Sequence, residues 1–335
     1  EELGPSATGS LAERARMQHA FLRFLEDPNA VPLETTRAVF DSAIAELESA
    51  GGRRTLATAY ANRSVIGWLQ GSAASMQADA ERAIALARES GNWRAMADAA
   101  GTLGAALLRG PVPLDEVERR LSQLIDDLSG DRLTQAAVRL DLANTLTLRG
   151  LLDRAEGEAE SARDTLEELG QRRWLIRCTE IFADIARRHG DPDAAVRLHR
   201  SVHAAYLEQR DEVNARLAAI GLASALLDAG ADEEADAIAA DVERVGSRDD
   251  LETQVVWRSV RARAAARRGD VDRSLALARE ATAMADSTDW LLLQAETQEE
   301  VAEVLTALDR PEAADARARA VELYRRKGVA TDLSA

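Results

Sequence analysis

Glycine recurs along this chain at an almost constant interval. Gly71, Gly110, Gly150, Gly190, Gly230 and Gly269 are separated by 39, 40, 40, 40 and 39 residues, and Asp309 stands 40 residues beyond the last. A period in this range is the signature of one supersecondary unit stacked into an array. Each unit of such an array buries its apolar surface only against its neighbours. The period therefore constrains the architecture more tightly than any local motif does.

The residues around each glycine share one template. A small residue, usually after an apolar one, lies about seven positions before the glycine, and an apolar or small residue lies three or four before it. Ala follows five positions after it, and small or apolar residues occupy the ninth and twelfth. The third copy reads Leu142, Ala143, Leu146, Gly150, Ala155, Ala159, Ala162. The fourth reads Phe182, Ala183, Ala186, Gly190, Ala195, His199, Val202. The fifth is Leu222, Ala223, Leu226, Gly230, Ala235, Ala239, Val242, and the sixth is Arg261, Ala262, Ala265, Gly269, Ser274, Ala278, Ala281. In the seventh, Val301, Ala302, Leu305 and Asp309 are followed by Ala314, Ala318 and Val321. Spacings of three and four on both sides are helical. The glycine ends one helix in a left-handed conformation. Asp153, Asp191, Asp232 and Asp270 then begin the next, where the helix dipole favours negative charge. Each copy is a helix–turn–helix hairpin whose small facing residues let the two helices approach closely. Gly71 and Gly110 mark two degenerate copies, the latter with a turn rebuilt by Pro111 and Pro113. A further copy without its glycine places Thr36, Phe40, Ala43 and Ile44 in the second-helix register.

The pair Leu-Ala or Leu-Gly, the apolar residue three on, the turn glycine and the alanine five beyond it resemble the tetratricopeptide repeat. The resemblance covers about residues 11 to 327. The family period is about 34 residues, so this chain adds some six per repeat, assigned here to longer helices. The resemblance implies an all-α, right-handed superhelical solenoid of about eight hairpins with a period of about 40 residues. Their expected ranges are 11–50, 53–90, 92–129, 132–170, 172–210, 212–247, 250–287 and 289–327, with 1–10 as linker and 329–335 as tail. It also implies that the first helix of each hairpin lines the concave face. Trp68, Asn144, Asp184, Arg187, Trp257, Arg263 and Arg267 then fall among the groove positions and are the expected partner-binding residues. Carboxylate-clamp members of the family hold a peptide C-terminus with Asn and Lys. Asn144 fits the Asn place, but no lysine stands in the groove, so that pattern is not met.

Composition agrees with a thin repeated core: 46% of the 335 residues are hydrophobic but only 4% aromatic. The net charge of −16 repels nucleic acid at long range. Lys327 is the sole lysine and sits in a basic helix end. Cys178 is alone, which excludes an internal disulfide and suits a reducing compartment. No apolar run reaches the length of a membrane helix. These features set the expectation of a cytoplasmic protein that contacts neither membrane nor nucleic acid.

No phosphate-binding loop, nucleophile elbow or His-Glu-x-x-His motif occurs, so catalysis and a cofactor are not expected. His199 and His203 share a helix face, but two imidazoles lack the third ligand of a tight metal site. Arg258, Arg261, Arg263, Arg267 and Arg268 form a run with two readings. It is a patch for an acidic or carboxylate-bearing partner, or it is a ladder of ion pairs to neighbouring hairpins, with Glu303 beside Arg263.

The function expected is a protein-interaction or scaffold module binding a protein or peptide in its concave groove. The helical end of the chain resembles the C-terminal arm of large actinobacterial regulators that carry a cyclase or ATPase part. The alternative is a domain that senses a small-molecule or peptide effector. A deep apolar pocket closed by Trp68 or Trp257 would favour the small ligand, and an open polar trough the peptide. Self-association through end hairpins is a third expectation.

Overall fold

The computed structural model describes residues 5–26, 31–128, 130–245 and 250–330. Residues 1–4 of the expected linker, 331–335 of the expected tail and the hairpin-end positions 129, 246 and 247 lie outside them. Sixteen helices are described: α1 (Pro5–Glu26), α2 (Leu33–Ala50), α3 (Arg53–Leu69), α4 (Ala73–Ser90), α5 (Trp93–Arg109), α6 (Leu114–Asp127), α7 (Arg132–Leu148), α8 (Leu152–Glu168), α9 (Arg172–Arg188), α10 (Pro192–Glu208), α11 (Glu212–Asp228), α12 (Asp232–Val245), α13 (Leu251–Arg267), α14 (Val271–Asp286), α15 (Leu291–Ala307) and α16 (Ala313–Lys327). No strand occurs among the described residues. Within the units α1 pairs with α2, α3 with α4, and each of α7, α9, α11, α13 and α15 with the helix that follows it, an all-α helical-repeat fold. The contacts divide it into two units, Glu1–Leu107 with Ser247–Asp250 and Leu108–Gly246 with Leu251–Ala335.

Helix α1 begins at Pro5, upstream of the expected start, so the described part of the linker is helical. Proline is tolerated in a first turn because the amide it lacks has no intrahelical partner there. Within the first unit, Met17, Phe24, Phe40, Ala43 and Ile44 are buried, and Phe21 meets Phe40 edge-on at 6.4 Å between ring centroids. Helices α3 and α4 touch at Gly67, where an added Cβ would lie 3.0 Å from Met76 Cγ.

The template residues are the core of the second unit. Ala155, Ala159 and Ala162 on α8, Ala235 and Ala239 on α12, and Ala183 and Ala223 on the first helices are all 0% exposed. Ser274 replaces the alanine in the sixth copy, and its hydroxyl donates to the Ala262 carbonyl at 2.9 Å. The first helices α3, α5, α7, α9, α11, α13 and α15 are each 17 residues long, so the extra repeat length is helical.

Five of the six repeating glycines have left-handed φ, and Asp309 takes the same conformation at φ 51°. Gly110, inside its rebuilt turn, does not. A second left-handed series, unremarked in the sequence, ends the second helices: Gly51, Gly91, Gly130, Gly170 and then Arg210 at φ 56°. Both turns of the repeat thus rely on a conformation that a Cβ disfavours by about 1–2 kcal/mol.

The last hairpin departs from the template. Ala314, Ala318 and Val321 are exposed, and Ala316, Ala320 and Leu323 are buried in their place. The physical reason is the turn. Helix α15 ends two residues before Asp309, as α7 ends two before Gly150, but α16 begins four after it rather than two. The longer turn through Pro311 slides the buried face of α16 by two positions.

Two stability outcomes follow. Ala183→Leu should overpack the contact within its hairpin and lower the unfolding free energy by about 1–3 kcal/mol in urea denaturation; an unchanged midpoint would place Ala183 outside a close contact. Arg210→Gly should raise it by about 1 kcal/mol, because the exposed Arg210 side chain makes no described contact and its backbone strain is relieved. A loss of stability in that variant would mean the turn is not strained.

Candidate functional site

The described cavity in the second unit, about 200 Å³ in volume, is walled almost wholly by first helices. Helix α5 gives Leu108 and Arg109; α7 gives Asn144, Thr147 and Leu148; α9 gives Arg177, Asp184, Arg187 and Arg188. Helix α13 contributes Glu252, and α15 contributes Leu292, Leu293 and Glu296, with Trp290 capping its start. Half of these fourteen residues are charged, four Arg and three acids, which makes the cleft polar.

Most of the charges are already paired. Arg109 donates to both carboxylate oxygens of Glu252 at 3.0 and 3.3 Å, and its guanidinium lies 5.3 Å from the centre of the Trp290 ring. Arg177 donates to Glu180 at 3.1 Å and has Asp141 at 3.9 Å. Arg188 donates to the Ala330 carbonyl at 3.3 Å. Arg187, Asp184 and Glu296 are different: among the described residues no side chain or backbone group hydrogen-bonds or ion-pairs with any of the three side chains.

Burial and charge tune the acids. Burial pushes the Glu296 carboxyl up to about 7, against the pull of Arg187 and with repulsion from Glu300 and Glu252. Asp141 is pushed to about 6 by burial, opposed by Arg177 and Arg109. For Arg187, burial acts to lower the pKa, but the carboxylates of Asp184, Asp228 and Glu296 outweigh it and the net direction is upward. Its side chain still meets water, as a guanidinium standing in an open cleft would.

Of the residues singled out in the sequence, the structure brings together Asn144, Asp184 and Arg187. Trp68 belongs to the first unit, on α3, and is half-buried. Trp257 was expected as a groove anchor, but it is only 4% exposed, packed with Leu226, Val260 and Ala264. Its indole N–H donates to Gln254, and Arg258 covers its ring at 4.1 Å. Arg263 is 6% exposed and is held by Asp228 at 3.1 Å, Glu303 at 2.8 Å and Glu300 at 3.9 Å. Arg267 pairs with Asp232 and donates to the Leu227 carbonyl. Arg258 pairs with Glu280, Arg261 with Asp236 and Glu243, and Arg268 with Asp236. The arginine run is an ion-pair ladder, with partners on both flanking hairpins as well as its own. Its guanidiniums and the Trp257 ring offer little surface to a partner, because neighbouring acids and core residues already cover them.

His199 is buried and its ring sits 3.2 Å from where a Gly221 Cβ would be; burial lowers its pKa. It fills the core position that alanine takes in other copies. Sequence reasoning did not select Arg109, Arg177, Arg188, Glu252, Trp290 or Glu296 for the site. A signal existed for two of them: Arg177 and Glu296 each precede the turn residue of their repeat, Gly190 and Asp309, by 13 positions. That is two helical turns before the position of Asn144 and Asp184, on the same helix face.

One end of the cleft is closed by the chain itself. Leu108, Leu114 and Leu148 pack with Leu291, Leu292, Leu323, Tyr324 and Val329. Lys327, in the basic end of α16, is 0% exposed. Its ammonium donates to the carbonyls of Gly110 and Val112, each at 2.7 Å. Burial lowers its pKa to about 7.

No family model matches the chain, and no curated protein matches it. Among solved structures it is similar to a Rap protein complexed with competence and sporulation factor, at 11% identity and TM-score 0.58, covering 94% of this chain and 96% of that one. It is also similar to a signal transduction ATPase with numerous domains and a tetratricopeptide repeat sensor from Pyrococcus horikoshii, at 12% identity and TM-score 0.48, covering 97% of this chain and 47% of that one. A third is the apo form of RapI, at 10% identity and TM-score 0.44, covering 94% and 98%. The fold is a tetratricopeptide-like helical repeat.

Lys327 gives this closure a pH dependence. Its folded pKa, about 7, lies below the unfolded value of 10.5, so the unfolded chain binds more protons between the two. The contribution of Lys327 to stability is fully present above 10.5 and is lost as pH falls through about 7. Urea midpoints should therefore rise with pH across this window more steeply in the wild type than in Lys327→Met. Parallel curves would show that the buried amine titrates as it does in water.

Proposed function

We propose that the cleft of the second unit binds a carboxylate-bearing peptide or protein segment and that the chain acts as an interaction module. The observation that carries this reading is Arg187, a guanidinium in the cleft with no described hydrogen bond, near the carboxylates of Asp184, Asp228 and Glu296. Guanidinium pairs with carboxylate through two parallel hydrogen bonds, a geometry that is strong and specific. The wall is also polar and is not closed by Trp68 or Trp257, which favours an extended peptide over a small apolar effector. A Rap protein of similar fold has been solved with competence and sporulation factor, which supports a binding role for this kind of array. The absence of a nucleotide loop or nucleophile motif in the sequence favours binding over turnover. A place as the regulatory arm of a larger bacterial signalling or transcription-regulating protein fits the same reading. No described helix is long and apolar enough to cross a membrane.

The test is selection from a synthetic peptide mixture with free C-termini. Peptides retained by the wild type should bind Arg187→Glu about 10–100-fold more weakly, the loss expected for a charge-assisted pair. A glutamate among Asp184, Asp228 and Glu296 also lowers the melting temperature, so Arg187→Gln, which adds no acid, is the paired control and should weaken peptide binding with a smaller shift in melting. Retained peptides that bind the variant equally well, or no retained peptide at all, would overturn the reading.

A further inference from the structure

One end of the cleft holds the segment that follows α16. Helix α16 stops at Lys327, and Gly328 turns the chain with φ 82°. The Val329 amide donates back to the Tyr324 carbonyl at 3.0 Å. Its side chain joins the apolar cluster of Leu108, Leu148 and Leu292, three residues that also line the cleft. A helix-ending turn accounts for contacts of this kind. It does not account for Ala330. The Ala330 amide donates to the Leu148 carbonyl at 2.9 Å, and the Ala330 carbonyl accepts from Arg188 at 3.3 Å. Both backbone groups of this residue end on the cleft wall, as those of an extended peptide do on a receptor.

The repeat array does not require this contact. Leu148 stands two residues before its repeat glycine. The carbonyls at the same place in the next three repeats, on Arg188, Asp228 and Arg267, accept no backbone hydrogen bond among the described residues. Helix α16 is anchored without Ala330, since Lys327 donates to Gly110 and Val112. A ligand carboxylate is also a stronger partner for Arg188 than Ala330 is. Arg188 stands beside Arg187 on the wall, and both act on the Glu296 carboxyl. A hydrogen bond from guanidinium to a carboxylate is roughly twice as strong as a bond between neutral groups.

Resting on the peptide-binding reading above, we infer that Ala330 is an intramolecular competitor for that peptide. Its backbone fills one end of the cleft, and a carboxylate arriving at Arg187 and Arg188 displaces it.

Two measurements on the whole chain test this. The first needs no variant. Hydrogen-exchange mass spectrometry follows the fragment that carries Ala330, with and without a peptide retained from the free-C-terminus mixture. Exchange at Ala330 should speed up on binding, because its amide gives up Leu148 for water. The second uses Ala330→Pro, which removes the amide hydrogen and leaves every wall residue in place. This variant should bind the same peptides about 3–10-fold more tightly, the gain expected when one competing hydrogen bond is lost. Circular dichroism checks that its helices are kept. Exchange unchanged or slowed by peptide would mark Ala330 as a cap and overturn the inference. Equal or weaker binding by a folded Ala330→Pro would overturn it too. Peptides that depend on Arg187 but ignore Ala330→Pro would leave the Arg187 reading standing without the competitor. No peptide retained by either protein would remove both.

Discussion

Two helices pack at the distance this repeat requires only where the residues between them are small. Ala155, Ala159, Ala183, Ala223, Ala235 and Ala239 are all without exposed surface, and Ser274 keeps the contact by bonding its hydroxyl to the facing backbone. Such an interface gains little from each side chain and depends on dispersion contacts over many close atoms. It also leaves no slack. A core of this kind holds its register because any added methyl group meets backbone or a neighbouring side chain.

The same economy of bulk turns the first helices inward and gives them the cleft wall. Positions on that wall cannot all be apolar, because water reaches them, and here half are charged. Charges brought close to protein must be paired or shift their pKa. Arg109 with Glu252 and Arg177 with Glu180 take the first course, and Glu296 takes the second. Arg187, Asp184 and Glu296 make no described hydrogen bond and act on one another only through their charges, which is why the proposed binding reading rests on this part of the wall.

The closure of the second unit rests on a different kind of contact. Lys327 reaches two carbonyls of a turn more than two hundred residues earlier in the chain, inside an apolar cluster that joins α6 and α7 to α15 and α16. Gly110 and Val112 lie in the one turn where the repeating glycine is not left-handed. The proline-rebuilt turn thus has a structural role: it presents carbonyls outward to a neighbour instead of simply reversing the chain.

The sequence by itself determined the hairpin and its register. Helical spacing and the left-handed turn are local properties, so Ala155, Ala195 and Ala235 could be placed in the core and Asn144, Asp184 and Arg187 on the inner face without coordinates. The second left-handed series, Gly51, Gly91, Gly130 and Gly170, recurs at the same interval, but Arg210 at its end carries no sequence signal of its conformation. The register of the last hairpin was not legible, because two extra turn residues slide α16 without altering its composition. Charge pairing was not legible either. Arg263 and Arg187 occupy comparable inward positions, yet one is enclosed by three acids and the other has none within bonding distance. That difference, like the burial of Trp257 and of Lys327, depends on which residues from distant repeats come to lie within a few ångströms. Period and composition do not encode such distances, and only the tertiary structure decided them.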